Sequence, residues 1–200
     1  MKTNGRFVLF AKEEFISWLK LQRVNRTIKL IQNHHTYLPD YKSFTGNNHF
    51  ALLNAMRDYH VNNNGWQDIA QNLTTFPDGT IAVCRPLNTI PTGIKGANQY
   101  GLCIEHVGNF DARKDVMSDE HRDIIISTNA AICSKFNIVP SIDTMVYHAW
   151  YNLVNGARDN LAGKVDGSHK TCPGTAFFGG NSSKAAETNF IPLIKQAMVG

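Results

Sequence analysis

No apolar run in this chain is long enough to cross a bilayer as a helix. The start, Met1 to Lys12, holds one short apolar patch, Phe7 to Phe10, with no small-residue cleavage site after it. No signal peptide is read there, so the expectation is synthesis in a cytoplasm, whatever the later address. The four cysteines, Cys84, Cys103, Cys133 and Cys172, form neither a zinc-finger pair nor a CxxC redox motif. Charge is sparse, at 18% of residues, and the balance of +4 is mild. The basic residues are scattered rather than striped, which excludes a nucleic-acid footprint. A pI near 8.9 leans towards acidic partners, and anionic cell-wall polymers fit that description. Linkers, repeats and low-complexity tracts are missing too, so residues 1–200 read as one domain.

What is present suffices for a core. Hydrophobic residues make up 42% of the 200, enough to fold without disulfides or metal staples. Cys103 and Cys133 sit in apolar runs and read as buried thiols. Glu13 to Gln22 places Phe15, Trp18 and Leu19 at helical spacing. Thr27 to Asn33 reads as a strand, buried on both faces towards its end. Asn48 to Tyr59 reads as a helix with Phe50, Leu53 and Met56 on one side. Ile69 to Phe76 and Thr80 to Cys84 read as a hairpin turned at Pro77-Asp78-Gly79. Gly101 to Val107 reads as a further strand. Ser118 caps a helix from Asp119 to about Phe136, whose acidic first turn suits the helix dipole. Lys184 to Met198 reads as a last helix, interrupted near Pro192. Interleaved strands and helices with a hairpin among them predict an α/β domain: a central mixed sheet flanked by helices.

Eight histidines are many for this length. His34-His35 ends a strand, His148 follows Met145-Val146-Tyr147, and His169 stands before Lys170-Thr171-Cys172-Pro173-Gly174. A zinc ion that does chemistry takes three protein ligands of histidine, cysteine or carboxylate type and keeps one position open. By spacing alone, two histidines and a cysteine say little. Plainer roles stand beside the metal one: a solvent-facing histidine pair, a core histidine at 148, a buried thiol at 172, and a solvated lysine at 170. Glu105 follows the apolar Leu102-Cys103-Ile104, an odd place for a carboxylate without a task; its plainer role is an ion pair with Arg85 or Lys170. His49, His60, His106 and His121 receive no role, and His121, in a helix's first turn, is expected at the surface. Trp66 and Trp150 read as core anchors, and Tyr37 and Tyr41 as candidate groove residues.

Ile31-Gln32-Asn33-His34-His35-Thr36 resembles the strand-plus-HHT motif of the zinc-dependent N-acetylmuramoyl-L-alanine amidases. That family includes the peptidoglycan recognition proteins and the amidase-type phage lysozymes. Gly65-Trp66-Gln67-Asp68-Ile69 followed by Pro77-Asp78-Gly79-Thr80 resembles its hairpin, with Arg85 at the hairpin's end. Asn98, Gly101 to Glu105 and Gly108-Asn109-Phe110-Asp111 are similar to a further segment. Lys170 to Gly174 is similar to its C-terminal zinc motif. The motifs run in the family's order from about residue 27 to 180, with helices extending the domain at either end.

The resemblance implies one zinc ion per chain, held by His34, His148 and Cys172. His169 competes with His148 as the second ligand, or contacts substrate. Glu105 is implied as general base and Lys170 as the stabiliser of the oxyanion. Arg85, Asn98 and His169 are implied at the substrate. Two departures stand out: Gln71 replaces a tyrosine that helps the chemistry in several phage members, and Lys95 replaces a common histidine. The implied reaction is hydrolysis of the amide between N-acetylmuramic acid and L-alanine in peptidoglycan. The alternative is a peptidoglycan-binding module without catalysis, although loss of the cysteine ligand accompanies loss of activity in that branch and Cys172 is present. A third reading is a cysteine hydrolase pairing Cys172 with His148. Release by phage or prophage lysis, as an endolysin, would bring such an enzyme to the wall; recycling of wall fragments inside the cell is the other route. The polar Asn152 to Ser168 insert is expected as a mobile loop over the groove. Stem-peptide preference and oligomeric state are left open.

Overall fold

The computed structural model describes residues 1–159 and 167–199. Its chain runs β1 (Lys2–Asn4), β2 (Phe7–Phe10), α1 (Lys12–Leu21), β3 (Leu30–His35), α2 (His49–Asn62), β4 (Leu73–Thr75) and β5 (Ile81–Val83). It continues through β6 (Gly101–His106), α3 (Asp119–Phe136), β7 (Met145–Tyr147), α4 (Ser183–Ala185), a π-helical stretch (Ala186–Phe190) and α5 (Ile191–Val199). The strands form one sheet in the order β1-β2-β5-β4-β6-β3-β7. The β1, β2, β5 and β4 neighbours pair antiparallel, whereas β4–β6, β6–β3 and β3–β7 are parallel. The expected mixed sheet is therefore present.

The two central strands are covered on both faces. Ile31, Leu73, Leu102 and Ile104 enter the larger core with α1, α3 and α5, including Phe15, Ile125 and Ile194. Ala82, Cys84, Leu53, Met56 and Phe76 build a smaller core with α2. Strands buried on both faces read as unbroken apolar runs instead of alternating ones. All four cysteines are free and buried.

Several expectations shift. β3 starts at Leu30, later than Thr27, and carries both His34 and His35 inside its pairing with β6. α2 runs on to Asn62. The first hairpin strand shrinks to Leu73–Thr75, because Ile69 and Asp68 give carbonyls to Arg85 instead of a neighbouring strand. The Phe7 to Phe10 patch is a strand, hairpinned with β1 and added to the edge of β5. Ser118 does cap α3, its Oγ accepting from the His121 N–H at 3.2 Å. In the last helix the turn widens before Pro192: proline has no N–H to offer and its ring crowds the preceding turn, and residues 186–190 take π-type bonds. The part of the 152–168 insert from 160 to 166 lies outside the described residues.

His121 is the clearest correction, since it is fully buried, not surface. Its Nδ1 lies 2.8 Å from the Tyr41 hydroxyl and its Nε2 2.8 Å from Thr75 Oγ1. Thr75 Oγ1 in turn meets His106 Nδ1 at 2.8 Å, and His106 Nε2 meets Asn33 Oδ1 at 3.1 Å. Asn33 and Asn129 of α3 exchange amide bonds at 3.1 and 3.0 Å. This network ties β3, β6, β4 and α3 through groups that are each satisfied, the condition under which buried polar groups hold a fold together.

Burial lowers the His121 pKa from 6.5 to about 3, so the folded protein holds it neutral. Between these values the unfolded chain binds a proton that the folded chain refuses. The stability contribution is thus complete above pH 6.5 and lost as pH falls towards 3, at a slope of ~1.4 kcal/mol per pH unit. Urea midpoints at pH 7 and pH 5 should differ more for the wild type than for His121→Gln. An equal acid loss in both would remove His121 as its source.

Candidate metal centre

Successive side chains of a strand point to opposite faces, and this decides between the two adjacent histidines. His34 sits opposite Glu105 in the β3–β6 register and His35 opposite His106. His34 therefore shares a face with Glu105, while His35 takes the Phe110 N–H on Nδ1 at 3.1 Å. β7 delivers His148 directly after its last residue, at the start of a 3₁₀ turn, His148–Trp150. Cys172 arrives on a loop. Its carbonyl accepts from the Ala149 N–H at 2.8 Å, which binds that loop to the His148 turn. Gly174 is required close by: it has φ +114°, and a Cβ there would stand 2.4 Å from the Phe110 carbonyl.

The ligand atoms of His34, His148 and Cys172 all lie within 4.8 Å of one another. Cys172 Sγ is 3.3 Å from His34 Nδ1. Atoms bound to one tetrahedral zinc ion at ~2.0–2.3 Å stand roughly 3.3–3.6 Å apart. The donor types suit zinc, and the His34–Cys172 pair stands at that spacing, while the set as a whole spans up to 4.8 Å. Burial drives the His34 pKa well below its usual value, with His148 and Lys170 adding to the effect. Burial, then Lys170, lowers His148 to about 3. Both rings are accordingly neutral, with a lone pair to donate. His34 Nδ1, 3.3 Å from Cys172 Sγ, is the nitrogen turned to the centre, and Nε2 is buried with no hydrogen-bond partner among the described residues.

Glu105 stands beside this set, its Oε1 3.9 Å from His34 Nδ1 and its Oε2 buried with no partner among the described residues. Burial pushes its pKa up to about 8 against the pull of Lys170. Glu105, Lys170 and the three ligand candidates line one cavity of about 1280 Å³. Its far wall comes from α2 and the loop after it, through Met56, Tyr59, His60 and Trp66.

The other candidates are placed elsewhere. His169 has both ring nitrogens engaged: Nε2 with the Asp159 carboxylate at 3.0 Å and Nδ1 with Ser168 Oγ at 2.7 Å. It stands outside the group of His34, His148 and Cys172 whose ligand atoms converge. Arg85 is buried, donating to the carbonyls of Ile69, Ile90 and Asp68; it braces the loop behind the cavity and does not line it. Neither Arg85 nor Lys170 forms an ion pair with Glu105. Asn98 Oδ1 accepts from the Gly93 N–H at 3.0 Å and from Gln32 Nε2 at 3.2 Å, shaping the Gly93 wall. Gln71 is buried, donating to Thr74 Oγ1 at 2.9 Å. Lys95 reaches the Val154 carbonyl at 2.6 Å. The Cys172 thiol is pushed well above its usual value by burial and by Glu105, the reverse of what a thiol nucleophile needs.

Trp66 and His60 were not foreseen as lining residues. Trp66 is half-buried against His60, with ring centroids 4.9 Å apart, whereas Trp150 is a fully buried core residue as expected. Tyr37 lines the cavity; Tyr41 turns instead to His121. The usable signal was the helical spacing of Met56 and His60, which puts both on one side of α2.

The family model for N-acetylmuramoyl-L-alanine amidase matches residues 24–175. No curated protein matches the chain. Among solved structures, wild-type Drosophila PGRP-LB is similar at TM-score 0.56 and 18% identity, over 73% of this chain and 84% of that one. The N-acetylmuramoyl-L-alanine amidase LysC from Clostridium intestinale is similar at TM-score 0.53 and 20% identity, over 81% and 85%. Peptidoglycan recognition protein-LE, in complex with tracheal cytotoxin, a monomeric diaminopimelic acid-type peptidoglycan, gives TM-score 0.56 at 20% identity, over 71% and 82%. At these identities the likeness is one of fold.

A ligand that binds only the folded state raises its stability by mass action. Zinc added to metal-free protein should therefore raise the melting temperature of the wild type and leave that of Cys172→Ala unmoved. Elemental analysis should find one zinc per wild-type chain. A variant that melts higher with zinc, by as much as the wild type, would place the metal elsewhere.

Proposed function

The chain belongs to the N-acetylmuramoyl-L-alanine amidase family, and from that premise we propose that it hydrolyses the amide between N-acetylmuramic acid and L-alanine in peptidoglycan. The observation that supports catalysis over binding alone is the convergence of His34, His148 and Cys172 beside a buried, unpartnered carboxyl, Glu105, in one cavity.

An amide resists water because water is a poor nucleophile and the tetrahedral oxyanion is costly. A zinc ion held by His34, His148 and Cys172 supplies Lewis acidity that acidifies water and polarises a carbonyl. The protein's own groups do the rest. Glu105, with its pKa near 8, exchanges a proton readily close to neutrality. It takes the proton of the attacking water and returns it to the leaving alanine nitrogen. Lys170 places an ammonium at the cavity wall, where it stabilises the developing oxyanion. Gln71 cannot carry a proton in this pH range and is tied to Thr74, so proton transfer rests on Glu105. The wall of Met56, Tyr59 and Trp66 offers apolar and aromatic surface to the remainder of the substrate.

The test is release of new N-terminal L-alanine from purified peptidoglycan. Glu105→Gln keeps the shape and removes the proton acceptor, and should lower turnover by ~10²–10⁴ while zinc stays bound. Lys170→Met should cost ~10²–10³ in kcat. Wild-type protein that binds zinc and muropeptide yet releases no alanine would make the chain a binding module. Full activity in Glu105→Gln would move the proton transfer to another group.

A further inference from the structure

A second cavity, of about 740 Å³, opens between the loop after β6, the first turn of α3 and the C-terminal helical run. Three cations border it: Arg113, Lys114 and Arg122. None forms an ion pair among the described residues. The two carboxylates in the same wall are already committed. Asp111 accepts from Thr171 Oγ1 and from the Thr175 N–H, both at 3.0 Å. Asp115 Oδ2 accepts from the Tyr41 N–H at 3.0 Å and the Asn109 N–H at 2.8 Å. Those bonds fix both carboxylates in place, and against them the three cations leave the lining a formal excess of one positive charge.

Its floor is apolar, made by Phe110, Met117, Phe178 and Leu193. The Arg122 guanidinium lies 4.7 Å above the Phe178 ring, which restrains its fork at the rim. The backbone is unusual here as well. Of the four non-glycine residues with positive φ, Asn137 closes α3 and Tyr37 belongs to the metal-centre cavity. The other two, Arg113 at φ 67° and Phe178 at φ 44°, both line this second cavity. Side chains held in the left-handed region persist where the surroundings over-determine them, and such positions gather at ligand sites.

We propose that this cavity is a second binding site, for a stretch of phosphodiester-linked cell-wall polymer. The cations stand on three separate side chains, and successive phosphodiesters present one charge each along a chain to meet them. Guanidinium forks match phosphate oxygens. The apolar floor accommodates the carbon backbone between them. The wall as the source of the polymer rests on the amidase reading. Asp111 joins this cavity to Thr171, the residue between Lys170 and Cys172, so a polymer held here lies against the loop that completes the metal centre. Tethering at this site raises the local concentration of wall substrate.

The full chain is titrated with poly(glycerol phosphate) at about 50 mM salt, where phosphate contacts are strong. The double variant Lys114→Gln/Arg122→Gln should bind about tenfold more weakly or worse, with a shallower salt dependence. It should lose alanine release from polymer-bearing wall by a similar factor and cleave a soluble muropeptide like the wild type. Arg122→Lys, which keeps the charge, should retain most of the affinity and so separates lost charge from misfolding. Equal polymer affinity in wild type and double variant overturns the proposal. So does equal wild-type affinity for single-stranded DNA with the same number of phosphates, which would make the cavity a general polyanion site. Inorganic phosphate binding as tightly as the polymer would reduce it to a single-ion pocket and also overturn it. Polymer bound by a wild type that cleaves no muropeptide would sink the amidase reading and leave this site standing.

Discussion

The structure depends first on the register between two parallel strands. Pairing β3 with β6 sets His34 against Glu105 and, one residue on, His35 against His106. Because side chains alternate, His34 and Glu105 share the cavity face, while His106 faces the helical core and His35 sits at the cavity's edge against Phe110. A slip of one residue would exchange them. His34 and Glu105 would enter the apolar core as unpartnered polar groups, and the His106 network would lose Thr75, His121 and Asn33. Burial on both faces makes that slip expensive, so a single register specifies both the core and the chemistry.

The same low-dielectric interior treats the two groups of residues differently. His106 and His121 have both ring nitrogens bonded to neighbours, so holding them neutral completes a closed network. On the cavity side, burial also keeps His34 and His148 neutral, and Glu105 is raised, yet His34 Nε2 and Glu105 Oε2 are left without partners. Unsatisfied buried polar atoms are rare and costly. Two of the six such atoms among the described residues, on His34 and Glu105, belong to the candidate site, whereas His106 and His121 have none.

This division explains what could be read from residues. His34, His148, Cys172 and Glu105 were legible because their motifs recur in order along the chain, and α3 because its cap, acidic first turn and apolar period agree. His121 was misplaced because a first-turn position suggests solvent; only the return of Tyr41 and Thr75 across the sheet buries it. β1, β2 and β7 are strands of three or four residues, too short to show a period, and they exist because a neighbouring edge offers bonds. Trp66 looked like a core residue because a large aromatic side chain usually is one; its placement on the cavity follows from the α2 C-terminus and the Arg85 brace, neither of them local to the tryptophan. His169 is engaged by Asp159, a partner that spacing to Cys172 cannot reveal.

The ligand set is also uneven in how it is held. His34 and His148 stand at the ends of adjacent paired strands, and their relative position is fixed by backbone ladder bonds. Cys172 has no strand beneath it. It depends on the Ala149 N–H, on Asn181 donating to the Thr171 carbonyl at 2.7 Å, and on Thr171 reaching Asp111 at 3.0 Å. Asn181 is itself fixed by Trp150 Nε1, which donates to its carbonyl at 2.7 Å. Two rigid ligands and one held by side-chain ties form a set in which metal affinity and loop order are linked, since ordering the loop is part of forming the site. Trp150 then anchors more than the core: through Asn181 it is tied to the loop that carries Cys172, so its packing and the placing of that candidate ligand are connected.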